Sequence, residues 1–428
     1  AKDHRYAFFP SVSAAWRISE ENFWQPLKGW WNDMKIRGSY GSLGNQVMDN
    51  LGNFPYLATY GTNSSYNYLI NGSKPVIVKA PGLVASDFTW ETVTQMDFGF
   101  DASFLNNRLT GTFDWYRRNT KDMLVAGATL PATLGASVPK SNSADMKTIG
   151  WELSLGWNDR LENGFSYWVK GVLSDYQATI TKYAGNDAGF YSQSDGDGKY
   201  YVGQKIGEIW GYHSNGLFQS DDEAATIDQS ELYAGKWGAG DVKYENLDGD
   251  GKITKGEETI YNPGDKSIIG NKTPRYQFGI TVGFDYKNFD FEMFWQGTGK
   301  RDYMLSGAQF WGFTSQWDVP YTPALDYWTE TNTDAYFPRP GWQNGGNRVT
   351  SDRYLQSAAY GRLKNLTVGY TIPKNLTTKW GISRLRLYVT GENLLTITPL
   401  NDAFDPETLG GLTYPINRKV AIGLNLTL

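Results

Sequence analysis

The sharpest chemical signal in the chain is the stretch Asn246-Leu247-Asp248-Gly249-Asp250-Gly251-Lys252-Ile253-Thr254-Lys255-Gly256-Glu257. Side-chain oxygens fall at loop positions one, three and five, glycine at six, isoleucine at eight and glutamate at twelve. That is the ligand spacing of an EF-hand calcium loop. In such a loop Asn246, Asp248 and Asp250 would bind Ca2+ through their side chains and Lys252 through its carbonyl. Thr254 would hold a water, and Glu257 would bind with both oxygens. Gly251 permits the sharp turn. The flanks do not read as paired helices, so the expected role is structural, stiffening an external loop. The competing reading is an Asp-Gly-rich turn without metal. Asp195-Gly196-Asp197-Gly198 echoes the pattern but lacks a glutamate at the right distance, and reads as a plain turn.

Other chemistries find less support. The two histidines, His4 and His213, stand far apart, and no nucleophile motif accompanies them. Carboxylates are plentiful, but none sits in a setting recognisable for glycoside hydrolysis. The absence of cysteine excludes disulfides, zinc-thiolate sites and cysteine nucleophiles. Net charge is -5 with no basic run, which argues against a nucleic-acid partner. No enzymatic activity is expected. Trp311, Trp317, Trp328 and Trp342 suit three uses equally: stacking on sugar rings, packing against a lid protein, or sitting in an interfacial girdle.

The elements around these residues follow a period of two. In Arg275 to Gln296, Tyr276, Phe278, Ile280, Val282, Phe284 and Tyr286 alternate with small or polar residues. A strand places alternate side chains on opposite faces. Lys287-Asn288 makes a two-residue connection, which sets Tyr286 opposite Phe289. Phe289, Phe291, Met293 and Trp295 continue the apolar face, while Asp290, Glu292 and Gln296 hold the polar one. Phe294 is the exception. Such a hairpin is either a half-buried soluble sheet or a membrane barrel wall, with lipid on one face and a lumen on the other.

The rest of the chain favours the barrel. Strands are predicted at Tyr6 to Ile18, Met34 to Gly41, Phe98 to Phe104, Leu109 to Trp115, Trp151 to Trp157, Phe165 to Leu173, Leu366 to Ile372, Leu385 to Val389 and Val420 to Leu428. Trp168 and Val172 break the alternation. Long segments without period lie at 45–90, 119–145, 175–270 and 298–358. Short turns at Asn106-Asn107, Lys287-Asn288 and Pro373-Lys374-Asn375 alternate with them, as short periplasmic turns alternate with long extracellular loops in outer-membrane barrels. About a dozen strands are expected. Aromatics make up 15% of residues, which suits carbohydrate binding and equally the girdles of such a barrel. No apolar run approaches the roughly 20 residues of a spanning helix, and mean hydropathy is -0.50; alternating strands hide from both measures. Ala1-Lys2-Asp3-His4-Arg5-Tyr6 runs directly into strand-like sequence, which reads as an internal start.

Several stretches resemble the SusC/RagA family of TonB-dependent outer-membrane transporters of Bacteroidetes. They are Tyr6 to Trp16 with Ile18-Ser19-Glu20-Glu21, Lys35 to Gly41, Trp90-Glu91 leading to Phe98-Gly99-Phe100-Asp101, Gly207 to Gln219, Gly240 to Gly251 with Ile269-Gly270-Asn271 and Pro274, Leu363 to Tyr370, and Gly391 to Leu394. The resemblance implies an all-β fold, the C-terminal half or so of a 22-stranded transmembrane antiparallel β-barrel. Residues 1–428 would be barrel wall, with the plug domain, the TonB box and the N-terminal strands outside this sequence. It further implies import of oligosaccharides or peptides across the outer membrane. The implied partners are a SusD-like surface lipoprotein, TonB acting through the plug, outer-membrane lipid, and a dimer of transporter–lipoprotein pairs. The alternative is a surface glycan-binding or adhesion barrel without energised transport, and a secreted β-rich glycoside hydrolase stands third.

Overall fold

The computed structural model describes residues 6–45, 57–63, 69–74, 76–79, 81–85, 89–126, 131, 133, 138–186, 189–190, 200–410 and 414–428. Its frame is one antiparallel sheet of 11 strands, each paired with its neighbours in chain order. They are β1 (Ser11–Arg17), β2 (Trp31–Asn45), β3 (Glu91–Phe104), β4 (Leu109–Ala126), β5 (Lys140–Arg160), β6 (Ser166–Tyr183), β7 (Arg275–Tyr286), β8 (Phe289–Lys300), β9 (Tyr360–Thr371), β10 (Arg384–Ile397) and β11 (Lys419–Thr427).

The hairpin register follows the apolar alternation. Tyr286 faces Phe289, Phe284 faces Phe291, Val282 faces Met293 and Ile280 faces Trp295. The apolar row continues on either side, Phe278 beside Leu173, Leu173 beside Leu153, Leu153 beside Phe113 and Phe113 beside Phe100. In the other direction Phe291 meets Val368, Val368 meets Val389 and Val389 meets Ile422. Each such cross-strand pair contributes roughly 0.2–1 kcal/mol. A one-residue slip would turn the whole row to the polar side, so the pattern fixes the register.

Connections 18–30, 105–108, 161–165, 287–288 and 372–383 lie at one end of the sheet. Connections 46–90, 127–139, 184–274, 301–359 and 398–418 lie at the other. Several boundaries differ from the sequence reading. The wall strands run further than the alternation, since β4 reaches Ala126, β5 starts at Lys140 and β6 reaches Tyr183. Bulges explain the loss of phase: Asp122, Tyr276 and Asn393 take positive φ inside or at the ends of strands, with register shifts beside Asp122 and Asn393. The connection after β9 is also longer than Pro373-Lys374-Asn375. It contains a helical turn, Lys374–Thr377, and a 3-10 turn, Thr378–Trp380.

The second correction concerns 175–270 and 298–358, which read as unpatterned loops. Beyond the wall strands, residues 200–274 and 301–359 fold together with 398–410 into a unit with its own hydrophobic core. Tyr212, Leu217, Val242, Tyr244 and Ile253 come from the first segment. Leu305, Phe310, Trp311, Trp328, Phe337 and Tyr354 come from the second, and Leu400 and Phe404 from the third.

Candidate functional site

The polar face of the wall is assembled by the same register. Arg37 on β2 donates from Nη2 to Asp114 Oδ2 at 2.7 Å and from Nε to Asp101 Oδ2 at 3.2 Å, with Asp97 Oδ1 at 3.9 Å from Nη1. Arg37 and Asp114 belong to strands that both flank β3, and they meet across Gly99, where a Cβ would collide with the carboxylate. The arrangement recurs across β9. Arg386 Nε donates to Asp290 Oδ1 at 2.9 Å over Gly369, where a Cβ would strike both groups. Glycine at these two positions is therefore a requirement of the charge pairing.

The residues that broke the alternation lie on this face. Trp168 lies flat against Gly283, and Val172 and Phe294 flank Gly279. They give an otherwise polar surface a local apolar strip. Below it, at the short-connection end, a hollow of ≈ 550 Å³ is lined by Trp168, Asp285, Asp290, Glu292, Thr367 and Arg386 among others.

The long-connection unit is built differently. The short strand Val242–Tyr244 pairs with Ser214–Leu217 on one edge only. Buried side chains serve its other backbone groups. Val242 N donates to Asn347 Oδ1 at 2.8 Å, Tyr244 N donates to Gln229 Oε1 at 2.9 Å, and Gln229 Nε2 donates to Val242 O at 3.0 Å. Asn347 Nδ2 then donates to Asp241 Oδ1 at 2.8 Å, so the buried amide is itself satisfied. Burial raises the Tyr244 hydroxyl well above its ordinary range, and burial pushes Tyr336 up to about 12. Both stay neutral.

The unit is tied to the wall by a buried cation. Arg362 on β9 is 2% exposed. Its guanidinium meets Asp405 at 2.5 Å and Glu407 at 3.0 Å, and Lys364 donates to Glu407 at 2.9 Å. Within the unit, His213 links its two main segments. Its Nδ1 lies 2.7 Å from Asp352 Oδ2 and its Nε2 lies 2.7 Å from Ser267 Oγ. No local pattern marks this line, because the three residues stand far apart in the chain. Ser267 sits within the paired strand Lys266–Asn271, without the sharp turn that exposes a serine nucleophile. The line joins the two longest connections. His4 lies outside the described residues.

The predicted calcium-loop residues fall on an exposed face of this unit. Asn246 Oδ1 accepts from Gly249 N at 2.8 Å, Asp248 Oδ1 from Asp250 N at 3.1 Å and Asp250 Oδ1 from Lys252 N at 2.8 Å. Gly251 takes φ 85, and Ile253 is fully buried. The sequence reading missed Asp265, also fully buried. Its carboxylate accepts from Leu247 N and Thr254 N, both at 2.7 Å, closing the loop from outside. Thr254 O in turn accepts from Asp265 N, and Glu257 N donates to Asn262 O. Among the described residues, no three His, Cys, Asp or Glu side chains converge as metal ligands. The echo at 195–198 lies outside the described residues.

The four tryptophans divide. Trp311 and Trp328 are each 8% exposed and belong to the core, which removes them as sugar platforms or lid contacts. Trp311 packs edge-on to Tyr354 at 4.5 Å. Trp317 and Trp342 remain exposed, in company with Val319, Tyr321 and Leu325.

An in-order antiparallel wall with an apolar outer row, a charged inner face and all its long connections at one end is the wall of an outer-membrane β-barrel. A family model described as TonB dependent receptor-like, beta-barrel, matches residues 1–394, and the chain belongs to that family. Among its relatives is TonB-dependent receptor P3 of Formosa agariphila, 30% identical over 466 residues, covering 100% of this chain and 42% of that protein. TonB-dependent receptor SusC of Bacteroides thetaiotaomicron is 27% identical over 438 residues, covering 100% of this chain and 40% of that protein. The chain thus spans about two fifths of the length of these relatives. The RagAB peptide transporter structure matches with a TM-score of 0.77 at 22% identity, covering 99% of this chain and 44% of that one. The relatives agree with the SusC/RagA likeness and with an outer-membrane location. They are receptors and transporters, as the expectation of no enzymatic activity requires.

Proposed function

We propose that the protein imports a nutrient, an oligosaccharide or a peptide, across the outer membrane, driven through TonB and working with a SusD-like surface lipoprotein. The observation that carries this reading is the pairing of a charged lumen wall with a rigid extracellular unit. A barrel that only displayed glycans would need no shaped, charged interior. The exposed apolar group Trp317, Val319, Tyr321, Leu325 and Trp342 supplies the surface a lid lipoprotein would cover. The SusC and RagAB likenesses support the same assignment. Among the described residues β1 and β11 are each paired on one side only, and free backbone groups in lipid cost several kcal/mol each. Closure of the sheet by further strands, around a plug that TonB engages, belongs to the same proposal. Paired complexes of transporter and lipoprotein would associate as dimers.

The test is uptake. Cells lacking the protein are compared with wild type on defined oligosaccharides and on peptides as sole nutrient, with and without proton-motive force. Loss of uptake of one class, in energised cells only, is expected. Unchanged uptake with loss of glycan adhesion would favour the display barrel.

The loop Asn246, Asp248, Asp250, Lys252, Thr254 and Glu257 is proposed to hold a structural Ca2+. Three side-chain-capped turns, a positive-φ glycine at position six and a buried isoleucine at position eight support it. Saturable, sensitised Tb3+ luminescence that disappears in Asp248→Asn/Asp250→Asn is expected. No saturable binding would return the loop to a plain turn.

A further inference from the structure

The short connections at the periplasmic end differ in charge. In 18–30, Lys28 pairs with Glu20 at 3.4 Å. In 105–108, Arg108 pairs with Asp159 at 3.1 Å. Connection 161–165 carries Glu162. The two remaining connections, 287–288 and 372–383, hold Lys287, Lys374 and Lys379 and no acid.

These two connections form one surface. Thr371 N donates to Asn288 O at 2.8 Å, and the Phe289 and Tyr370 rings lie 4.7 Å apart. Lys287 Nζ sits 5.1 Å over the Tyr286 ring, which belongs to the outward apolar row. The helical turns 374–380 present Leu376 and Trp380 at 44% and 62% exposure. Phe289 is 54% exposed. Buried Thr377 and the left-handed Gly381 hold these turns against the sheet. Apolar and aromatic side chains at the level of the membrane edge are thus fringed by three lysines that meet no carboxylate among the described residues.

We propose that this surface is a headgroup site for an anionic phospholipid of the periplasmic leaflet. Trp380, Leu376 and Phe289 would lie among the acyl chains, and Lys287, Lys374 and Lys379 would meet the phosphate. The choice of occupant rests on charge complementarity together with the apolar residues, which a free phosphate would not engage.

The test is native mass spectrometry of the protein in detergent with dioleoylphosphatidylglycerol or dioleoylphosphatidylcholine added. The wild type is expected to retain the anionic lipid at least about ten-fold better, at roughly five-fold for each lysine near the headgroup. Lys287→Gln/Lys374→Gln/Lys379→Gln should bring the two lipids to within about three-fold. Lys28→Gln/Arg108→Gln, which removes two paired cations, should keep the preference. Heat-modifiable gel mobility reports folding, and Lys379→Glu serves if the triple variant does not fold. No preference in the wild type, or a preference kept by the folded lysine variants, would overturn the proposal; so would a preference abolished by inorganic phosphate at the concentration of the lipid.

Discussion

Phe100 and Phe310 show how differently the two halves of this molecule use one side chain. Phe100 stands in the outward row of the wall, 5.6 Å from the Phe113 ring and partly exposed. Phe310 is fully buried, ringed by Trp311, Tyr336, Phe337, Tyr354 and Phe404. The wall satisfies its backbone through the sheet ladder and leaves its apolar row for lipid. The extracellular unit has few paired strands and depends on a water-excluding core and on buried amides that substitute for missing strands. Substitutions should therefore separate the two regions.

The largest effect is expected where the unit is anchored. Asp405→Ala/Glu407→Ala strands the Arg362 guanidinium in a buried setting, which costs about 3–5 kcal/mol. Phe310→Ala should cost a similar amount, about 3–5 kcal/mol, through lost burial and the cavity left behind. Both should expose the segments 200–274 and 301–359 to protease while the wall keeps its heat-modifiable mobility. Protection equal to wild type would mean that the unit does not depend on this core.

In the wall the same chemistry acts through lipid. Ile280→Arg places a charge on the outward row and should cost about 2–4 kcal/mol near mid-bilayer, read as a shift in the urea midpoint of refolding into vesicles. Thr281→Arg, one residue along and facing the lumen, should fold nearly as well as wild type. Equal penalties would contradict the assignment of faces.

Acid should loosen the extracellular unit first. A hydrogen bond from Lys236 holds the Asp221 carboxyl below its usual range. Lys243 does the same for Glu223, and Thr314 for Asp318. Carboxylates with depressed values stabilise the fold above their ordinary range, and that contribution is lost as pH falls through it. Protease sensitivity of the unit should thus rise as pH drops through and below the ordinary carboxylate range. The wall ladder should be unaffected. The smallest effect belongs to the exposed tryptophans: Trp317→Ala and Trp342→Ala should leave stability within about 0.5 kcal/mol while weakening capture of the proposed lipoprotein.

What the sequence revealed follows the same division. In the wall a period of two is written into neighbouring residues, so the Tyr286–Phe289 register was readable from the hairpin alone. Where bulges at Asp122 and Asn393 shift the phase, the alternation was lost although the strand continued. Trp168, Val172 and Phe294 looked like errors because a glycine partner on the next strand is not visible in one strand's pattern. The core of the unit had no local signature. Tyr244, Phe310 and Phe404 lie far apart in the chain and meet only after three connections fold together. Asp265, which closes the Asp248 loop, lies beyond the span that a twelve-residue motif covers.

The two sets of connections face opposite sides of the outer membrane. Residues 1–428 hold no cysteine, so the parent protein without an added cysteine is the labelling control. Tyr261→Cys and Asn288→Cys would be treated with a membrane-impermeant maleimide on intact cells and again after the outer membrane is opened. Tyr261→Cys should label in intact cells and Asn288→Cys only after opening. Labelling of Asn288→Cys in intact cells, with Tyr261→Cys protected, would contradict this orientation.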